Sequence, residues 1–338
     1  MVARQEQVQS YQFGVQRVVA ALVAKESDPA QPPFRRLAGA TLVGVLLAAL
    51  GVGGAAAYAL LRPGDTSDWR DDRALIVEQE SGALFVYREP QLHPVLNQAS
   101  ALLLLNTPDA HTVTVSRARL RGAPRGAVLG IPGAPASLPP KDKLRGEPWT
   151  VCSTPGGSVL FIGSRPGKGQ PLGERGVLAT SSAHQVYLIW RNQKHLVRQP
   201  GTRAQVSVAQ AFLHAIPSGA DVDSVPPATV DDPPATMCVD DEVTMGVKLP
   251  DVSAGVSTAG GALADTVVVP AGGGALVRTD TGVLSLVTDL GRRHAVPDDG
   301  VLPALGYADA EPVTVPAALL GLLPAGPALD PALAGRSQ

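Results

Sequence analysis

The chain has 338 residues, 45% hydrophobic and 17% charged, with 28 Lys and Arg against 30 Asp and Glu. That near-balance leaves no basic face of the kind nucleic-acid binding needs, so no nucleic-acid partner is expected. The 36 Gly and 31 Pro, about one residue in five, point to many short elements joined by turns rather than to disorder.

Residues 1–36 form the first segment. Tyr11, Val15, Val18, Val19, Leu22 and Val23 recur at helical spacing and predict an amphipathic helix. Pro29, Pro32 and Pro33 break it. An apolar stripe of this kind either lies on a membrane surface or docks on a partner. Docking is the expectation, through Tyr11, Val15, Val18 and Leu22; a helix with no partner is the alternative.

Residues 37–61 carry no charge, and Arg35-Arg36 and Arg62 bracket them. Twenty-five helical residues at 1.5 Å each exceed a hydrocarbon core of about 30 Å. A single transmembrane helix is therefore expected. The alternative is a cleaved signal peptide ending at Ala55-Ala56-Ala57, although such peptides have shorter apolar cores. The first segment holds five positive charges, Arg4, Arg17, Lys25, Arg35 and Arg36. Two stand at the membrane edge, which favours a cytoplasmic side for 1–36 and places 62–338 outside.

Both cysteines, Cys152 and Cys238, follow the span. In an oxidising compartment a lone pair reads as one disulfide. It would close a loop of about 86 residues, a constraint worth on the order of 4–5 kcal/mol in the chain-entropy model. Two buried free thiols are the alternative. The stretches Pro217–Pro234 and Ser253–Ala264 and the last few residues are expected to be loose.

The outer part repeats itself. Thr114-Val115, Leu120, Pro124 and Gly126 are matched by Ser207-Val208, Leu213, Pro217 and Gly219. A third copy reads Thr314-Val315, Leu320, Pro324 and Gly326. The hydroxyl is placed to cap a short helix, Val and Leu to be buried, Pro to stop the helix and Gly to turn the chain. Upstream, each copy has a strand-turn-strand pattern that ends in histidine: His93, His195 and His294. Their equivalent positions favour a packing role in which the ring bonds a backbone group. The second copy is shortened between His195 and Val208. Units this small cannot bury both faces alone and should pack on a shared core or on each other.

Chemistry is hard to find. The paired acids, including Asp240-Asp241-Glu242, lack regular calcium-ligand spacing and read as solvated turns. The nearest approach to a phosphate loop is Gly163-Ser-Arg-Pro-Gly167-Lys168-Gly169. It has three residues between its outer glycines where four are needed, and Gly169 where Ser or Thr should reach magnesium. It reads as a surface turn. No catalytic, cofactor-binding or metal-binding residues are assigned.

The opening Arg4-Gln-Glu-Gln-Val-Gln-Ser-Tyr-Gln-Phe13 is followed by Arg62-Pro-Gly, Trp69-Arg70 and Leu92-His-Pro-Val-Leu-Asn97, then by Gly130-Ile-Pro-Gly-Ala-Pro135 and Trp149-x-Val-Cys152. In these segments the sequence resembles the EccB family of actinobacterial type VII (ESX) secretion systems. These segments run in order along nearly the whole chain.

The resemblance implies a single-pass protein of the inner membrane with its N-terminus cytoplasmic and its large domain periplasmic. The implied fold is a β-rich α+β domain: repeated β-hairpin and helix modules around a central β core, braced by a disulfide. It implies about four repeats where three are visible here. Implied partners are an EccC-like FtsK-type ATPase, the membrane proteins EccD and EccE, and further copies of the chain. Some members of the family are described as ATPases; ATP is a cofactor only if that description holds, and the residues here give it no phosphate loop. The expected function is structural, scaffolding the secretion channel and organising its periplasmic face. ATP hydrolysis and cell-wall binding are the competing readings.

Overall fold

The computed structural model describes residues 2–24, 34–61, 69–225, 228–259 and 263–338. The chain divides into two compact units, Met1–Ser67 and Asp68–Gln338.

The first unit holds α1 (Val2–Ala24) and α2 (Phe34–Leu61). On α1 the side chains of Tyr11, Val15, Val18 and Leu22 are all exposed. On α2 apolar side chains point outward all round: Leu42, Leu47 and Leu50 are 65%, 64% and 69% exposed. Among the described residues no helix is long and apolar enough to cross a membrane. Within α2, side chains are described only for 40–56. The side chains at the ends of the expected 37–61 span, and all of the 62–68 segment after it, lie outside the described residues.

The second unit is β-rich with short helices, and three of the four sheets among its described residues are copies of one design. Repeat 1 runs β1 (Ala74–Glu78), β2 (Leu84–Arg88), β3 (Gln91–Val95), α3 (Gln98–Leu105), β4 (His111–Val115) and α4 (Arg117–Leu120). Three strands of the central sheet follow: β5 (Trp149–Thr154), β6 (Gly157–Ile162) and β7 (Gln170–Pro171). Repeat 2 runs β8 (Val177–Thr180), β9 (Val186–Trp190), β10 (Gln193–Leu196), β11 (Val206–Ser207) and α5 (Gln210–Ala215). The central sheet resumes with β12 (Met237–Val239), β13 (Val243–Met245), β14 (Val256–Ser257) and β15 (Thr266–Val268). Repeat 3 runs β16 (Gly274–Thr279), β17 (Leu284–Thr288), β18 (Arg293–Ala295), β19 (Val313–Val315) and α6 (Ala317–Leu320), and α7 (Pro331–Ala334) follows.

In each repeat three antiparallel strands form a meander, and the fourth returns parallel to the first: β3-β2-β1-β4, β10-β9-β8-β11 and β18-β17-β16-β19. The parallel return needs a crossover connection. Repeat 1 fills it with α3, whereas repeat 2, as its shortened sequence implies, passes directly from β10 to β11. The central sheet has the order β14-β15-β6-β5-β12-β13-β7.

Alternation along the strands sorts the core. In repeat 3, Ala275, Val277, Val287 and Val315 join the central sheet and repeat 2 in one apolar cluster. The intervening Leu276, Leu284 and Leu286 face the other way, into a cluster shared with repeat 1. A period of two places successive side chains on opposite faces, so the repeat 3 sheet is buried on both. The motif's Val and Leu are buried in every copy, as expected.

Three expectations change. First, the motif's hydroxyls do not cap the helices: Thr114, Ser207 and Thr314 stand on β4, β11 and β19. The caps come from elsewhere. Glu80 accepts from the N–H of Arg117 at 2.8 Å, Asp280 from Ala317 at 3.0 Å and Ser153 from Ala209 at 2.9 Å. The carboxylates belong to the turn after the first strand of their repeats and satisfy the same orphan donors a local cap would.

Second, Gly126, Gly219 and Gly326 do not take the left-handed backbone of a turn glycine. Each lies under the histidine of its own repeat, where an added Cβ would stand 2.2 Å from His93, His195 or His294 Cε1.

Third, the described parts of the stretches expected to be loose are laced down, with 226–227 outside the described residues. Pro217–Pro234 carries bridges Ser218↔Lys194, Val222↔Val197 and Thr229↔Gly176. Val256–Ser257 forms the sheet-edge strand β14, while 260–262 lies outside the described residues. The N–H of Gln338 donates to Val128 O at 3.0 Å, and its Nε2 to Gly130 O at 2.9 Å.

Candidate functional site

Cys152 on β5 and Cys238 on β12 are cross-strand partners in register and are joined, with S–S 2.08 Å and Cα–Cα 4.0 Å. Both are buried, on the face of the central sheet that carries Val159, Phe161 and Val247. The disulfide therefore ties two adjacent strands whose sequences lie 86 residues apart.

Above it opens a cleft of about 790 Å³. The loop after β6 forms one wall, with Arg165 and Lys168, and Asp240, Asp241 and Glu242 form the other. Arg165 reaches Asp240 at 3.6 Å. The loop is held against the chain opposite, since a Cβ on Gly167 would stand 2.6 Å from Lys248 O. The hydroxyl of Thr150 lines the cleft, buried and without a hydrogen-bond partner. Gly163–Gly169 is thus a turn, as expected, and also a cleft wall. It leads into the strand β7, so it lacks the helix N-terminus whose N–H groups and dipole cradle phosphate in a phosphate loop. The three carboxylates opposite disfavour a polyphosphate further. Among the described residues no group of three or more His, Cys, Asp or Glu is placed to hold a metal ion.

The equivalent histidines form a clasp in each repeat. Nδ1 lies 3.0 Å from Ala127 O in His93, 2.8 Å from Ala220 O in His195 and 3.0 Å from Pro327 O in His294. The Pro-x-Gly segment runs beside the third strand. Leu92, Lys194 and Arg293 each donate an N–H to the proline carbonyl, and each accepts from the glycine N–H. The segment thereby covers an exposed sheet edge, and the ring closes over the glycine. His294 is almost fully buried, and burial holds its pKa below the usual 6.5. Sequence reading found the histidines and the glycines but not their contact. The signal was available, because a histidine ending the strand-turn-strand pattern and a later Pro-x-Gly recur together in all three copies.

The stripe Tyr11, Val15, Val18 and Leu22 belongs to the other unit and follows a three-four spacing along α1, extended by exposed Val8. Such spacing makes a seam suited to a partner helix. Val19 is half-buried, and the side chain of Val23 lies outside the described residues.

Fold and geometry together define a disulfide-braced β protein made of three equivalent modules on a central sheet, preceded by two helices. Residues 1–235 and 226–338 match the family described as "Type VII secretion system ESX-1, transport TM domain B", and the chain belongs to this EccB family. It is 34% identical over 152 residues to the ESX-3 secretion system ATPase EccB3 of Mycolicibacterium smegmatis, covering 45% of this chain and 28% of that protein. It is 34% identical over 209 residues to the ESX-5 secretion system ATPase EccB5 of Mycobacterium tuberculosis, covering 59% and 39%. The chain therefore spans well under half the length of these curated relatives.

Among solved structures, it matches a chain of an intact ESX-5 inner membrane complex with a TM-score of 0.66 at 21% identity, covering 98% of this chain and 95% of that one. A chain of the EccB3 dimer from the ESX-3 core complex matches at 0.63 and 20% identity, covering 78% and 100%. At these identities the likeness carries the fold.

Proposed function

We propose that this chain is a structural component of a type VII secretion complex of the inner membrane, with α2 as its single-pass anchor and 1–36 on the cytoplasmic side. In this reading 62–338 is a periplasmic scaffold that organises the outer face of the channel. The observation that carries it is α2, whose large apolar side chains from Leu42 to Val52 are more than half exposed around the whole helix. A helix apolar on all sides needs an apolar solvent, and a bilayer supplies one. The stripe on α1 is the docking element for the rest of the complex, which comprises an EccC-like ATPase, EccD- and EccE-like membrane proteins and further copies of this chain. The fold-level match to chains of ESX complexes supports assembly of this kind.

A second reading, ATP hydrolysis, is favoured by the names of the curated relatives. The spacing of Gly163–Gly169 and the acidic wall opposite argue against it.

Burying the stripe removes apolar area worth roughly 1.5–3 kcal/mol per large side chain. Val15→Asp with Leu22→Asp should release the chain from its membrane complex while leaving it in the membrane fraction. Native electrophoresis of mild-detergent extracts reads this directly. Migration of the double variant in the full complex at wild-type amounts would overturn the docking role of α1.

A further inference from the structure

The three copies of one motif give an internal control. Residues 116–126, 209–219 and 316–326 occupy equivalent places. In repeat 2, Phe212, Leu213 and Ile216 are buried in the central cluster, and in repeat 3 so are Leu320, Leu322 and Leu323. Helices α5 and α6 pack against each other there.

Repeat 1 breaks the pattern. Its Arg117 stands where the copies have Gln210 and Ala317, Arg119 where they have Phe212 and Leu319, Arg121 where they have His214 and Gly321, and Arg125 where they have Ser218 and Ala325. All four arginines are exposed. Leu120 is the one buried residue of α4, and it packs within its own repeat. No acidic residue occurs from 111 to 129. Glu78 and Glu80 both engage Arg117 at the start of the helix. The guanidinium of Arg125 lies 4.7 Å over the Phe85 ring. An element that its sisters use to build the core is here turned outward and made cationic.

We infer that this arginine face of repeat 1 docks on anionic phospholipid headgroups of the membrane that α2 enters. The inference rests on the anchor reading of α2. Chain length supports a lipid surface. Eight peptide steps join Leu61 to Trp69, at most about 28 Å of extended chain. Trp69 is buried in the core of repeat 1, so the chain that leaves α2 enters the second unit at repeat 1. Proximity matters, because such attraction fades within a Debye length of about 8 Å. Residues 62–338 otherwise lean acidic, with 23 Lys and Arg against 27 Asp and Glu, so an anionic surface attracts this face and repels the remainder. Guanidinium groups also match phosphate geometry in paired hydrogen bonds.

The test uses the full chain in nanodiscs of phosphatidylcholine alone or with phosphatidylglycerol, each containing a trace of headgroup-nitroxide lipid. Ala118→Cys, exposed on α4, carries a fluorophore; Glu311→Cys in repeat 3 serves as the reference site. Quenching at 118, relative to 311, should rise in the anionic discs. Each arginine contributes about fivefold to the local equilibrium, so the rise should collapse in the Arg119→Glu, Arg121→Glu variant. It should survive Arg119→Lys, Arg121→Lys, and on the wild-type background it should disappear at high salt. Equal quenching in both discs, or an anionic response that ignores the glutamates and salt, overturns the inference while leaving the anchor intact. Protection of site 118 only in complexes purified from cells also overturns it, in favour of an acidic protein partner. A chain that fails to copurify with either disc overturns the anchor reading and the inference together.

Discussion

Gly326→Ala tests the histidine clasp at its most confined point. A Cβ at 326 would stand 2.2 Å from His294 Cε1, 2.5 Å from Nδ1 and 2.9 Å from Nε2. The ring must retreat by more than 1 Å, to ordinary contact distances of about 3.5–4 Å. It has nowhere to go, since His294 is only 2% exposed. Overpacking of this kind costs typically about 1–3 kcal/mol. Losing the 3.0 Å bond to Pro327 O adds about 1 kcal/mol. The expected total is about 2–4 kcal/mol, a fall in melting temperature of roughly 5–10 °C for a unit of this size.

The same clash exists at Gly126 and Gly219, each 2.2 Å from its histidine. His93 and His195 are only half-buried and can swing toward solvent, so alanine there should cost about 1 kcal/mol. Thermal unfolding of the detergent-solubilised chain, followed by near-ultraviolet circular dichroism, measures all three. Adding His294→Ala to Gly326→Ala should recover part of the loss, as contacting residues couple. Equal effects at the three glycines, or no effect at 326, would refute the argument.

Replacing Cys152 and Cys238 together by alanine should lower stability by about 2–5 kcal/mol, measured by denaturant midpoint without reductant; an unchanged midpoint counts against the bracing role. The imidazole of His294 is held below its usual pKa by burial, opposed by its bond to Pro327 and assisted by Arg292. The unfolded chain therefore binds the extra proton first, so stability falls as pH drops below about 6.5. His294→Gln should flatten that slope between pH 7.5 and 5.5 in urea titrations, and an unaltered slope would sink the assignment. Purified chain should hydrolyse ATP no faster than buffer, and turnover that persists through purification but is abolished by Lys168→Ala would reinstate the second functional reading.

The repeats were legible because Val and Leu of the motif are buried in every copy, which keeps their spacing. The helix caps were not, because Glu80 and Asp280 reach their amides from 37 residues away, whereas sequence reading looks one turn back. Glycine was assigned to a turn for a similar reason. Its real neighbour is a ring contributed by the third strand of its own repeat, far beyond the reach of one turn. The central sheet was harder still, being assembled from strands as short as two residues, with the pairs β15 and β6, β5 and β12, and β13 and β7 far apart in sequence. The cysteine pair was the exception, since two cysteines admit one pairing.

The bond from Gln338 to Gly130 spans 208 residues, and it has a kinetic meaning. Repeat 1 shares an apolar cluster with Leu276, Leu286, Leu329 and Ala334, all in or after repeat 3. A polypeptide emerging from its N-terminus presents Leu75, Val86 and Leu103 long before those partners exist. Loop closure over such distances is slow, and unfinished cores invite aggregation. Repeat 1 must therefore wait, half-complete, until repeat 3 has formed. Any machinery that delivers this chain to its destination has to release repeat 3 before the first module can lock.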